Sequence, residues 1–305
     1  MTQGRIIIVG ATGSIGRPLH ALARAARRTV VATSRAGGAG LRSFDMVEGR
    51  LADLVPNLGA GDCAYVLGAM TSPDVVSRDP TAARGVNVTA AIRLHEEALA
   101  ARARVVFVSS EMVFDGETGG YTEDDATTPT TEYGRQKVEV ERHLLERPGN
   151  WLILRTGATV CPGVDDNCVV SKTYRTLLSG QARMASDNLL SVTAVGDTAR
   201  LLLELADHPV TGILHGVANP PVTRAELAGW IAEDSVFGGQ MMYEVARFAD
   251  IPFAEKRPRK SWLRNSRIRS LLGMDFTAPR DAVRDKVKIL DRWRSSTSPE
   301  GIVNG

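Results

Sequence analysis

The feature that most constrains this chain is the run Arg5-Ile-Ile-Ile-Val9, followed at once by glycines at 10, 13 and 16. An unbroken β-branched run suits a strand buried on both faces, as in a parallel sheet. The Ala/Leu/Arg-rich stretch that follows, to about residue 27, reads as a helix. In a strand–glycine turn–helix unit the first glycine allows the tight turn. The second lets backbone approach a pyrophosphate, and the third lets helix and strand pack closely. The helix start adds free N–H groups and a positive dipole end. The loop Gly10, Thr12, Gly13, Ser14, Ile15, Gly16 is therefore predicted to hold a dinucleotide pyrophosphate. The plainer alternative is a glycine turn of purely structural use.

Further strands are predicted at 29–33, 64–67, 104–109 and 151–154. Helices are predicted at 82–101 and 133–145. This alternation predicts an α/β, doubly wound parallel sheet with right-handed crossovers. After about residue 155 the pattern loosens. Helices are expected at 169–179, 197–206, 224–233 and 280–293, and a last strand at 213–217. The Ser-Ser-Thr-Ser-Pro stretch at 295–299 is expected to fray.

The chain's 305 residues allow one large or two smaller domains. A formal charge of +2 argues against a nucleic-acid partner. The basic stretch 256–269 is either a solvated surface or a subsite for an anionic substrate. Three cysteines, Cys63, Cys161 and Cys168, give no paired framework and suit a reducing compartment. No Cys/His spacing suggests a metal. No apolar stretch reaches the roughly 20 residues of a membrane span, so the expected location is cytoplasmic.

The second strand is expected to end in Thr33-Ser34-Arg35, where an acid would favour NAD. Ser34 and Arg35 are instead suited to a 2′-phosphate, which predicts NADP as the preferred cofactor, with NAD as the alternative. Tyr133 and Lys137 stand at i, i+4 on one predicted helix face. An ammonium there is expected to lower the phenol's pKa and bring it into use as an acid or base. An exposed helix pair is the plain alternative. Ser110 closes the strand Val105-Val-Phe-Val108-Ser109-Ser110, on the edge where reactive groups gather.

With Gly10/Gly13/Gly16, Asn87, Ser110, Tyr133 and Lys137, the chain resembles the extended short-chain dehydrogenases/reductases. Within them it is most similar to the dTDP-4-dehydrorhamnose reductases. The stretches carrying this are 108–116, Tyr121-Thr-Glu123, Tyr133-Gly134, Leu154-Arg-Thr156, Ser191-Val-Thr193 and Arg257-Pro258. The resemblance implies that Ser110, Tyr133 and Lys137 are catalytic. It implies cofactor contacts from Asp53, Leu54, Gly68, Ala69, Met70, Asn87 and Ser109, and substrate contacts from Glu111, Met112, Thr159, Asn167 and Arg257. It further implies a Rossmann domain at 1–157, completed by 189–217, a substrate lobe at 158–188 and 218–305, and a homodimer. Met112 and Ala158-Thr159 replace the subfamily's usual aromatics, so the sugar is expected to be read differently.

The expected reaction is hydride transfer to the keto group of a nucleotide-activated sugar, with Tyr133 as proton donor. The alternatives are an epimerase or dehydratase that recycles NAD internally, and a non-catalytic dinucleotide-binding subunit.

Overall fold

The computed structural model describes residues 4–180 and 182–297. The first half alternates as predicted: β1 (Ile6–Val9), α1 (Gly16–Ala25), β2 (Val30–Ser34), β3 (Arg42–Ser43), α2 (Leu51–Leu54) and β4 (Cys63–Val66). Two short helices follow, α3 (Pro73–Arg78) and α4 (Pro80–Arg84). A π-helical turn, Gly85–Ala90, leads into α5 (Ala91–Ala100). Then come β5 (Arg104–Ser110), α6 (Glu132–Leu145) and β6 (Trp151–Thr156).

The second half holds β7 (Ala158–Val160), α7 (Val169–Leu178), β8 (Ala182–Ala185), β9 (Val192–Ala194), α8 (Val195–Leu205) and β10 (Gly212–His215). It closes with α9 (Arg224–Asp234), β11 (Tyr243–Ala246), α10 (Ser266–Leu272) and α11 (Pro279–Thr297). Ser295 to Thr297, expected to fray, are the last turn of α11, while Ser298 and Pro299 lie outside the described residues.

Seven strands form one sheet in the order β10-β6-β5-β4-β1-β2-β3, and the paired strands run parallel. Side chains alternate across it. Ile6 and Ile8 pack with Leu19 of α1 and Leu201 and Leu205 of α8, whereas Ile7 and Val9 pack with Leu51 of α2 and Leu94 of α5. That two-sided burial is the physical reason the first strand is apolar throughout.

A separate core joins α7, α9 and α11 through Val170, Leu177, Leu227, Ile231, Val283 and Val287. The small parallel pairs β7–β9 and β8–β11 flank this core. The segment around α10 departs from the expected lobe boundary. Ile268 is fully buried in the sheet's core, with Leu272, Met274 and Phe276 packed against it, because α10 lies against β10. Residues 266–276 therefore return to the sheet.

Candidate active site

Strand order reverses beside β1: β2 and β3 lie on one side of it, β4 and β5 on the other. A crevice opens at such a point beyond the carboxyl ends of the strands. Here Gly10 has φ +92°, and a Cβ on it would stand 2.7 Å from the Gly68 nitrogen. A Cβ on Gly16 would stand 2.3 Å from the Gly10 oxygen. Gly10 and Gly16 thus let β1, α1 and the loop after β4 close together. Thr12, Gly13 and Ser14 are exposed and Ile15 half-buried. Among the described residues the N–H groups of Ser14, Ile15 and Gly16 have no acceptor. A tight glycine turn presenting free N–H groups at a helix start fits a dinucleotide pyrophosphate.

At the end of β2 the structure separates the two predicted phosphate readers. The Ser34 hydroxyl accepts from the Gly37 N–H at 2.9 Å and closes the turn. Arg35 is exposed. Asp53 is also exposed, while the Leu54 side chain lies in the core between the sheet and α5.

Asn87 is tied to the loop after β4 and to α6. Its side-chain amide donates to the Met70 carbonyl and the Gln136 Oε1, both at 2.9 Å, and its Oδ1 accepts from the Met70 N–H at 2.8 Å. Both of its donors are consumed, so it fixes the loop Gly68, Ala69, Met70 against α6. Ser109 is buried with its hydroxyl unpartnered.

Ser110, Tyr133 and Lys137 converge where β5 ends. Thr131 caps α6 by accepting from the Gly134 N–H at 3.0 Å, which sets the start of the helix. Tyr133 is 8% exposed and packs among Val76, Ala83, Met70 and Met112. Beside its phenol stands Ser110, whose Oγ accepts from the Met112 N–H at 3.2 Å. Lys137, 6% exposed, donates to the Val108 carbonyl at 2.9 Å, with its nitrogen 5.6 Å from the Tyr133 ring centre. The expected lowering of the phenol's pKa is not what this protein shows. Burial raises it, against a smaller opposing effect of the neighbouring Ser110 hydroxyl. Burial also pushes Lys137 down to about 8, opposed by the carboxylate of Glu141.

Glu141 went unnoticed in the sequence, although Tyr133, Lys137 and Glu141 repeat every four residues along one face of α6. Its two oxygens accept from Arg155 at 3.0 and 2.7 Å, and both side chains are 2% exposed. Gln136, which completes the Asn87 network, was also missed.

The five substrate positions divide. Met112 lies against Tyr133. Thr159 is half-buried at the middle of β7, and Asn167 is exposed with its Oδ1 accepting from Arg175 at 3.1 Å. Glu111 turns inward. It is 4% exposed and bonds the Ser191 N–H at 3.4 Å, and burial pushes its pKa up to about 8. Arg257 is ion-paired with Asp74 of α3. Arg259 pairs with Asp187 at 3.4 Å and Lys256 with Glu117 at 3.1 Å, so these cations of the basic stretch are matched by the protein's own carboxylates. Arg224, at the start of α9, was not singled out. Burial lowers its pKa, the nearby Glu111 opposes that, and Arg257 reinforces it. Nothing in the local sequence signals that meeting, because residues 111, 224 and 257 come together only through the fold.

This crevice, with a glycine cradle on one wall and a Ser–Tyr–Lys set on the other, belongs to the extended short-chain dehydrogenase/reductase class. The family described as the RmlD substrate binding domain matches residues 4–292, and the chain belongs to it. A dTDP-4-dehydrorhamnose reductase of Aggregatibacter actinomycetemcomitans is 29% identical over 284 residues, 89% of this chain and 94% of that protein. The methionine adenosyltransferase 2 subunit beta of Bos taurus is 28% identical over 313 residues, 96% and 90% of the two chains. Among solved structures, MoeE5 in complex with UDP-glucose and NAD superposes with a TM-score of 0.79 at 25% identity, covering 95% of this chain and 99% of that one.

Among the described residues, no group of three or more His, Cys, Asp or Glu could hold a metal ion. No described helix is long and apolar enough to cross a membrane.

Proposed function

We propose that this chain is an NAD(P)H-dependent reductase of a nucleotide-activated keto sugar, with Tyr133 as the proton donor. The observation that carries the reading is the meeting of Ser110, Tyr133 and Lys137 at the end of β5, beside the crevice lined by Gly10 and Gly16. The reductase and the UDP-glucose/NAD complex among its relatives support the same reading.

A nicotinamide dinucleotide, held at the turn of Gly10, Gly13 and Gly16, would supply the hydride. The chain's own residues do the rest. Ser110 and Tyr133, neighbours at the end of β5, offer their hydroxyls to one carbonyl oxygen. Burial keeps the Tyr133 phenol protonated in the free protein, ready to donate as negative charge grows on that oxygen. The Lys137 ammonium, anchored on Val108, stands where it stabilises the phenolate left behind. Met70 and Met112 cover the phenol ring and keep water from it.

Within this reading Arg35 favours NADP over NAD by facing the 2′-phosphate, with Thr12, Ser14 and Ile15 around the pyrophosphate. Met112, Thr159 and Asn167 line the sugar side, and the protein works as a cytoplasmic homodimer. The deciding experiment is a panel of nucleotide-linked keto sugars mixed with NADPH and followed by loss of reduced-nicotinamide absorbance. Stoichiometric oxidation supports a reductase. Conversion without net oxidation means an epimerase or dehydratase.

The similarity to a methionine adenosyltransferase subunit favours a second reading, a dinucleotide-binding subunit of a larger assembly. Tight NADPH binding with no turnover on the panel is its signature.

A further inference from the structure

Two of the three cysteines lie together in the lobe. Cys161 follows β7 and Cys168 precedes α7, so they bracket one loop, and both belong to the same buried cluster. The two thiols lie near enough to perturb each other's ionisation. Cys168 is also the N-cap of the ten-residue helix α7: its sulfur accepts from the Ser171 N–H at 3.5 Å and lies 3.4 Å from the Ser171 hydroxyl.

The neighbouring charges are arranged around this cap. Asp166 accepts from the Cys168 N–H at 3.1 Å and the Ser171 hydroxyl at 2.7 Å, and the buried Lys286 of α11 binds Asp166 at 2.8 Å. The neighbouring Cys161 thiol lowers the Cys168 pKa, opposed by burial and helped by the Ser171 donors, while the same neighbour and burial raise that of Cys161. A helix N-terminus and a neighbouring thiol are the surroundings that favour a thiolate. A groove of about 270 Å³ lined by Val164, Asp165, Asn167 and Tyr174 opens beside the loop.

We propose that Cys168 and Cys161 form a reversible intramolecular disulfide when the protein meets a hydroperoxide, with Cys168 as the attacking thiol and Cys161 as the resolving one. The Cys168 thiolate attacks one peroxide oxygen and the O–O bond breaks, leaving a sulfenic acid and, after proton uptake, water. The Cys161 sulfur then attacks the Cys168 sulfur; the S–O bond breaks and a second water leaves with the Cys161 proton. Two thiols lose two electrons, and one hydrogen peroxide becomes two waters. Cys63 is an internal control: it is 1% exposed in β4, and burial pushes its pKa up to about 12.

The bond would staple the loop that carries Asn167 to the strand that carries Thr159. Its effect on the reaction rests on the substrate-side reading above, but its formation does not.

The test therefore uses no substrate. The whole protein is treated with hydrogen peroxide, alkylated, digested with trypsin and weighed. Residues 156–172 form one tryptic peptide with both thiols. The expected peptide has lost two hydrogen atoms and carries no alkyl group, and dithiothreitol restores both alkylation sites, while Cys63 is alkylated throughout. In Cys161→Ser the sulfenic acid on Cys168 should persist and react with dimedone. In Cys168→Ser, Cys161 should stay unoxidised. A wild-type peptide that remains doubly alkylated, or that gains oxygen without the cross-link, overturns the proposal. So does a Cys161→Ser protein that yields no dimedone adduct. The wild-type measurement stands on its own if either variant folds poorly.

Discussion

The ammonium of Lys137 is held by the carbonyl of Val108 at 2.9 Å, and this bond sets its charge beside the Tyr133 ring instead of on its hydroxyl. The phenol stands beside Ser110 and is kept protonated by burial. The free protein is therefore poised to give a proton. Replacing Tyr133 with Phe keeps the ring packed among Met70 and Met112 and removes only the acid. We expect kcat to fall by about 10²–10⁴-fold. Cofactor affinity, read by fluorescence titration, should change little. A near-wild-type kcat would refute the assignment.

The Glu141–Arg155 pair is buried on both sides. Removing one member strands the other charge, so Glu141→Gln should cost about 3–5 kcal/mol in a denaturant titration. The double variant Glu141→Gln, Arg155→Met should recover much of that loss, because no unpaired ion is left inside. Equal destabilisation of the single and double variants would show that the pair itself, and not the stranded charge, accounts for the cost.

Glu111 gives a pH dependence of definite sign. Its folded pKa is raised to about 8 from an ordinary value of 4.5, by burial opposed by bonds from Ser191 and Ser261 and the charge of Arg224. Between those values the unfolded carboxyl has lost its proton and the folded one has kept it. The native state binds more protons, so stability falls as pH rises through this window, by up to about 1.4 kcal/mol per pH unit. Glu111→Gln keeps an acceptor for the Ser191 N–H and cannot ionise. Its stability should be flatter from pH 5 to 8, measured by chemical denaturation at a series of about four pH values. An unchanged slope would place the titration elsewhere.

Arg35 is exposed, whereas the Ser34 hydroxyl is occupied by its own turn. Discrimination between the two dinucleotides should then depend mainly on the guanidinium. Arg35→Ala should raise KM for NADPH by about tenfold, the scale of one charge-assisted contact, with little change for NADH. Parallel changes in both constants would mean that Arg35 does not read the 2′-phosphate.

The nucleotide half was legible because its signals are local. Ile6 to Val9, the three glycines and the Tyr133–Lys137 spacing each describe one element and its neighbour in the chain. The lobe was legible as helices, and α7, α9 and α11 fall close to their expected places. What the sequence hid depends on distant segments meeting. Glu111 could be placed near the chemistry by its position after Ser110, but only the packing of Ser191 and Ser261 shows it turned inward. Asn87 carried a recognisable pattern, yet its partners Met70 and Gln136 stand 17 and 49 residues away. The direction of the Tyr133 shift also followed from burial, which the Tyr–Lys spacing does not encode.

The strand that finishes the main sheet, β10, is reached only after the chain has passed through β7, α7, β8, β9 and α8. During synthesis, the flank of β6 at Leu152, Ile153 and Leu154 must therefore wait for residues 212–215 to emerge before its backbone is matched. A fragment stopped at residue 157 would leave that flank open to pair with other copies of itself. The half that carries the glycine cradle is thus contiguous in sequence but not self-sufficient, and dissecting this protein at its apparent joint should yield aggregates instead of a minimal nucleotide binder.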